Sequence, residues 1–165
     1  MTAKLYFEPS VEPMFHPDSY GYRPNKSALQ AIAVTRKRCW RRDWVLEFDI
    51  KGLFDHIRHD YLMEMVKRHT QEQWIILYIQ RWLTTPFHMQ DGTIKPREAG
   101  TPQGGVISPV LANLFLHYTF DSFMAKEYPK AWWSRYADDG TYTVNPMIKQ
   151  YICEVFSVND SKSWD

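Results

Sequence analysis

Two adjacent carboxylates interrupt an apolar, β-favouring stretch late in this chain, and they constrain its fold more than any other feature. Trp132 to Tyr136 and Thr141 to Val144 are rich in aromatic and β-branched residues, and Ala137-Asp138-Asp139-Gly140 lies between them. The expectation is two strands folding back at Ala137–Gly140, with Asp138 and Asp139 at the tip. Neighbouring carboxylates repel unless solvent screens them or a cation sits between them. Taken alone, the pair fits a solvated turn as well as an ion site.

A second predicted strand supplies a third carboxylate. Trp44 to Ile50 alternates, with Leu46, Phe48 and Ile50 on one face and Val45, Glu47 and Asp49 on the other. Asp is a poor strand former, so Asp49 at the end of a strand beside a hairpin bearing two more Asp points to a three-carboxylate cluster. Hard oxygen ligands suit Mg²⁺, which keeps waters and completes its shell from substrate phosphates. Two such ions roughly 4 Å apart activate an attacking hydroxyl and stabilise a leaving pyrophosphate. Glu47 shares the strand face and ranks behind Asp49 as a ligand.

The remaining segments read as follows. Pro9, Pro13, Pro17 and Pro24 make any N-terminal helix short and interrupted. Ser27 and Gln30 have capping-box spacing ahead of a helix over Ala28 to Trp40, whose last turn is basic (Arg36, Lys37, Arg38). Asp60 to His69 and Gln71 to Thr84 read as helices, the second with Trp74, Leu77, Tyr78 and Trp82 at helical spacing. Asp91-Gly92 signals a two-residue hairpin between Phe87–Gln90 and Thr93–Arg97. A glycine-rich loop, Gly100-Thr101-Pro102-Gln103-Gly104-Gly105, allows close backbone approach to a ligand and leads to a helix over Val110 to Lys126. Met147 to Phe156 reads as a last short helix and Ser157 to Asp165 as a frayed end. With no repeat or linker, the reading is one α+β unit.

Composition excludes several classes. Of 165 residues, 44% are hydrophobic and 24% charged, a globular balance with no apolar run long enough to span a membrane. Cys39 and Cys153 have no metal-ligand spacing and suit a reducing cytosol. His56 and His59 are three apart with nothing to complete a zinc site. The net charge of +1 is low for a chain gripping a polyanion unaided, which leaves either no nucleic acid or further basic parts.

Four ordered blocks carry a resemblance. Phe48-Asp49-Ile50-Lys51-Gly52-Leu53-Phe54-Asp55 resembles the first palm motif of bacterial group II intron reverse transcriptases. Gly100 to Pro109, continued by Val110 to His117, is similar to their second palm motif, Arg135-Tyr136-Ala137-Asp138-Asp139-Gly140 to their polymerase signature, and Ser19-Tyr20-Gly21-Tyr22-Arg23-Pro24 to a block preceding a fingers helix. The resemblance implies an α+β fold: a reverse-transcriptase-like palm with an antiparallel sheet packed on helices, plus partial fingers and no thumb. Residues 1–43 and 56–98 would be fingers/palm helices and hairpin, 44–55 and 99–144 palm core, and 145–165 a divergent tail.

The resemblance also implies roles. Asp49, Asp138 and Asp139 would be catalytic and, with the Ile50 carbonyl, hold two Mg²⁺ ions for which Mn²⁺ can substitute. Phe54 would be the aromatic gate beneath the incoming sugar, Gln103 and Gly104 would line the nucleotide pocket, and Arg23 would touch the template. Partners would be RNA template, DNA primer, dNTP and group II intron RNA, in the cytoplasm and away from membranes. With a thumb missing, apolar faces of the Val110–Lys126 helix and of the sheet would be uncovered and favour self-association. The leading reading is therefore an RNA-directed DNA polymerase fragment of an intron-encoded maturase. Its rivals are an inactive remnant that scaffolds RNA or protein, and an unrelated two-metal phosphohydrolase or cyclase.

Overall fold

The computed structural model describes residues 2–42, 44–89, 91–102 and 104–144. Gln103, Cys153 and the expected helix at Met147–Phe156 lie outside them. In chain order the elements are α1 (Thr2–Val11), α2 (Ala28–Cys39), β1 (Trp44–Asp49), α3 (Leu53–His56), α4 (His59–His69), α5 (Gln73–Leu83), β2 (Phe87–His88), β3 (Ile94–Lys95), α6 (Ser108–Leu116), a π-helical turn (His117–Asp121), α7 (Ser122–Glu127), β4 (Trp132–Tyr136) and β5 (Asp139–Val144). They gather into two compact units, one of Met1–Phe15 with Gly52–Tyr118, the other of His16–Lys51 with the described residues from Thr119 onward.

The first unit is helical around α6, which α1, α3 and α4 contact. Val110, Leu111, Ala112 and Leu114 are all buried, because α6 is enclosed on every side rather than along one stripe. Most of the Val110–Lys126 helix is therefore covered where an open apolar face was expected, Phe120 and Met124 being buried too, while Phe123 is exposed. The expected helix is present without a break, with one π-helical turn between its α6 and α7 parts. On α5 the inward stripe is Ile75, Ile79 and Leu83, one residue every turn; Trp74, Leu77 and Tyr78 look outward. Helix α1 is longer than its prolines suggested, since Pro9 falls in the final turn while Phe7 and Val11 anchor the helix in the core. The β2–β3 hairpin is shorter than expected. Its Met89 amide donates to Thr93 O and its Gly92 amide to Met89 O, and at Asp91-Gly92 only Gly92 has a positive φ, so a two-residue type I′ turn is ruled out.

The second unit is a three-stranded antiparallel sheet in the order β1-β5-β4. On one face of the sheet the Phe48 ring lies 5.1 Å from Phe120 of the π turn and 4.9 Å from Tyr142 of β5. Gly140 stands opposite Phe48 in the ladder, and a Cβ there would come within 2.0 Å of the Phe48 ring. Helix α2 packs on β4 and β5. The capping box opens it as expected: Ser27 Oγ accepts from the Gln30 amide and the Gln30 side chain accepts from the Ser27 amide. Thr35 on α2 bonds to Ser134 Oγ (2.6 Å), which bonds in turn to Thr141 Oγ1 (2.9 Å), and Arg38 pairs with Asp18 at 2.7 Å.

Candidate active site

Strand pairing puts the three aspartates together. Asp49 and Asp139 are direct Cα partners across β1 and β5, and Asp139 is also paired with Tyr136 on β4. The β4–β5 loop is therefore only Ala137-Asp138, tighter than the four-residue fold-back read from sequence. Ala137 has φ 59° and Asp138 does not have a positive φ, the pattern of a type II′ turn, which matches the right-handed twist of the strands. The Ile50 amide donates to the Asp138 carbonyl at 3.1 Å, which ties the end of β1 to the turn.

Like charges directly opposite one another in a ladder destabilise it, and Asp49 and Asp139 are such a pair, with Asp138 alongside. The carboxyl of Asp139 is pushed up from its ordinary value, first by partial desolvation and then by the charges of Asp138 and Asp49. The all-oxygen donor set and its unrelieved repulsion fit a hard divalent cation. The fit is electrostatic, not a finished cage: among the described residues no three acidic, histidine or cysteine side chains already form a ligand group. Beside Asp139 a cleft of about 610 Å³ opens between α2 and the sheet, with Arg36, Glu47 and Tyr136 in its wall.

Beneath the turn lies a residue that the sequence reading passed over. Arg135 is 0% exposed. Its Nε and Nη2 donate to the two oxygens of Asp121 at 3.0 and 2.9 Å, Nη2 also to Ser19 Oγ at 2.8 Å, and Nη1 to the Ala137 carbonyl at 2.7 Å. Its amide donates to Asp18 O and its carbonyl accepts from the Tyr20 amide. The Ser19–Pro24 block is thus laid along β4, and Gly21 meets the turn so closely that a Cβ would fall 2.2 Å from Ala137 N. A signal was present in the sequence. Arg135 shares a strand face with Trp133, and Asp121 falls on the apolar stripe running from Leu114, so each charge occupies a position that calls for a buried partner.

Arg23 is occupied structurally, donating from Nη1 to His16 O and to Ser19 O, both at 2.7 Å. The other expected site residues belong to the first unit. Phe54 is half-buried on α3, and its carbonyl accepts from the Thr101 amide at 2.6 Å. Gly100 takes φ +82° against α3, where a Cβ would lie 2.6 Å from Phe54 O, so the glycine-rich loop is stitched to the segment carrying Phe54. Gly104 faces open space.

Comparison with known proteins identifies the family. A sequence profile described as reverse transcriptase (RNA-dependent DNA polymerase) matches residues 2–158. The chain is 36% identical over 117 residues to an uncharacterized 91 kDa protein in cob intron of Schizosaccharomyces pombe, covering 69% of this chain and 14% of that one. It is 33% identical over 129 residues to protein YkfC of Escherichia coli K12, covering 75% and 33%. It is 32% identical over 114 residues to the group II intron-encoded protein LtrA of Lactococcus lactis, covering 69% and 19%. The chain thus spans a third or less of each relative's length. Apo telomerase from Candida tropicalis superposes with a TM-score of 0.69 at 13% identity, covering 96% of this chain and 33% of that one, a likeness of fold.

Proposed function

The chain belongs to the reverse transcriptase (RNA-dependent DNA polymerase) family, on the side of the group II intron-encoded proteins, and from that premise we propose that it forms the nucleotidyl-transfer site of an RNA-directed DNA polymerase. The observation that carries the reading is the Asp49–Asp139 ladder pair with Asp138 in the adjoining turn. Asp49, Asp138 and Asp139, with the Ile50 carbonyl, would hold two Mg²⁺ ions, or Mn²⁺ in their place. Such ions supply charge neutralisation and activation of a primer 3′-hydroxyl toward a dNTP. The chain's own part is positional. The two-residue turn and the β1–β5 register hold three carboxylates at one end of a rigid sheet. Phe54 takes the role of the sugar gate, Gln103 and Gly104 that of pocket wall, and Arg23 that of a template contact. Template RNA, primer and intron RNA are the proposed partners, in the cytoplasm; among the described residues no helix is long and apolar enough to cross a membrane.

The test is primer extension on an RNA template with Mg²⁺ or Mn²⁺, comparing the chain with Asp49→Asn and Asp138→Asn. Extension by the parent that both variants lose supports the proposal. Absence of extension, with salt-sensitive RNA binding intact, would replace it with a non-catalytic RNA scaffold.

A further inference from the structure

The buried Arg135–Asp121 pair has a role beyond holding the fold. We propose that Arg135 is the positioning residue for the aspartate turn, acting through the Ala137 carbonyl, and that Asp121 and Ser19 fix the guanidinium in the one orientation that reaches it. The proposal rests on the metal-site reading above and deepens it.

The geometry allows little else. A guanidinium is planar, and its Nε–Nη2 edge is committed to both oxygens of Asp121, which sets the plane of the group. With the plane set, Nη1 points to Ala137 O at 2.7 Å, in the peptide that joins Ala137 to Asp138. That peptide determines where Asp138 leaves the turn and where Asp139 enters β5. The Asp138 carbonyl, in the next peptide along, is the acceptor for the Ile50 amide, so two successive peptides of the turn link Arg135 to the strand carrying Asp49. A lysine could keep the charge opposite Asp121 but has no fork, and so could not hold both ends of this arrangement.

Asp121 itself depends on the π turn at His117–Asp121. Phe120 and Asp121 close that turn and, though adjacent in sequence, are both buried. Phe120 packs on Phe48 while Asp121 meets Arg135. Single π turns are frequent at functional sites, and here one delivers the anion that orients the arginine.

A purely structural pair predicts a different outcome from a positioning pair, because a buried ion pair is often replaceable by apolar side chains of similar size with little loss of stability. The experiment compares the parent with Arg135→Lys, Asp121→Asn and the double variant Arg135→Met/Asp121→Leu. It reads the melting temperature, Mn²⁺ affinity by electron paramagnetic resonance, and hydrogen exchange at the Ile50 amide, with Asp138→Ala as the metal control. The double variant is expected to fold, to melt within several degrees of the parent, to bind Mn²⁺ roughly 10–100-fold more weakly, and to exchange faster at Ile50. Arg135→Lys and Asp121→Asn should shift affinity and exchange in the same direction. A folded double variant with parental Mn²⁺ affinity and parental Ile50 protection would overturn the proposal. If the parent itself shows no Asp138-dependent Mn²⁺ binding, the metal-site reading falls, and the exchange at Ile50 alone decides whether Arg135 positions the turn.

Discussion

Replacing Gly21 with alanine adds one methyl group where the Ser19–Pro24 block meets the aspartate turn. Gly21 is not among the positive-φ glycines, so an alanine can adopt its backbone. In open space the change would be stabilising by about 0.4–1 kcal/mol, because it narrows the unfolded ensemble. The space is not open. The new Cβ would stand 2.2 Å from Ala137 N, 2.9 Å from Ala137 Cα and 3.0 Å from the Tyr136 carbonyl carbon, whereas ordinary contact begins near 3.4 Å, so one side must move by more than 1 Å. All three atoms are backbone, and that backbone is pinned by Arg135 and by the Ile50 amide. Overpacking against an unyielding neighbour costs about 1–3 kcal/mol, leaving a net loss of about 1 kcal/mol. For a chain of this size that corresponds to a melting temperature lower by roughly 2–4 °C. The reverse change at the other side of the contact has the opposite sign. Ala137 sits at φ 59°, which costs a non-glycine residue about 1–2 kcal/mol, so Ala137→Gly should raise the melting temperature by a few degrees. Thermal denaturation followed by circular dichroism measures both. A Gly21→Ala chain as stable as its parent, or an Ala137→Gly chain less stable, would refute the account of a strained turn braced by a close backbone contact.

Four further outcomes are expected. Asp139→Asn should raise the metal-free melting temperature, since the ionised carboxylate is disfavoured there, and should abolish the rise that Mn²⁺ gives the parent; at one hundred times the dissociation constant that rise corresponds to about 2.7 kcal/mol. Phe54→Val should increase ribonucleotide incorporation in primer extension, and unchanged discrimination would remove Phe54 from the gate role. Gly105→Ala places a Cβ 2.0 Å from the Trp82 ring and should destabilise the chain by about 1–3 kcal/mol in a denaturant titration. His16 stacks on Trp133, and its pKa is held below the usual histidine value, mainly by burial. The unfolded chain then takes up the proton more readily than the folded one, so stability should fall as pH drops below about 6.5; His16→Phe should flatten that part of the profile, and an unchanged slope would assign it elsewhere.

Local features were legible because their causes are local. The Ser27/Gln30 capping box, the alternation of Trp44 to Asp49 and the strand character of Trp132 to Tyr136 each follow from residues within a few positions of one another. The features that escaped depend on distant contacts. The positive φ of Ala137 depends on Gly21 packed against the turn and on Arg135, whose side chain is aimed at it by the distant Ser19 and by Asp121. The π turn is set by the simultaneous burial of Phe120 and Asp121, which a 3.6-residue period cannot show. The two units are each assembled from separated segments, so no linker composition marks the passage between them. Likewise the aromatic residues of α5 look like a core stripe in sequence, and only packing reveals that Ile75, Ile79 and Leu83 take that place.

Where the second unit departs from good folding practice is itself informative about function. Along α2 and the far part of the sheet the rules are kept: a complete capping box, a glycine opposite Phe48 where the ring needs room, and hydroxyls bonded to one another under the helix. At the Asp49 end three departures coincide. Two aspartates oppose each other in the ladder, an alanine occupies a glycine conformation, and a fully buried arginine stands where an apolar side chain would serve stability as well. The arginine and the strained alanine meet at the peptide between Ala137 and Asp138, and the opposed aspartates lie directly beside it. Strain gathered in one place is the mark of a site organised for chemistry. A chain that only presented a surface to RNA would have no physical need to press carboxylates together, still less to lock their turn from beneath. These departures coincide at the residues on which the proposed metal site rests, which is what that proposal requires.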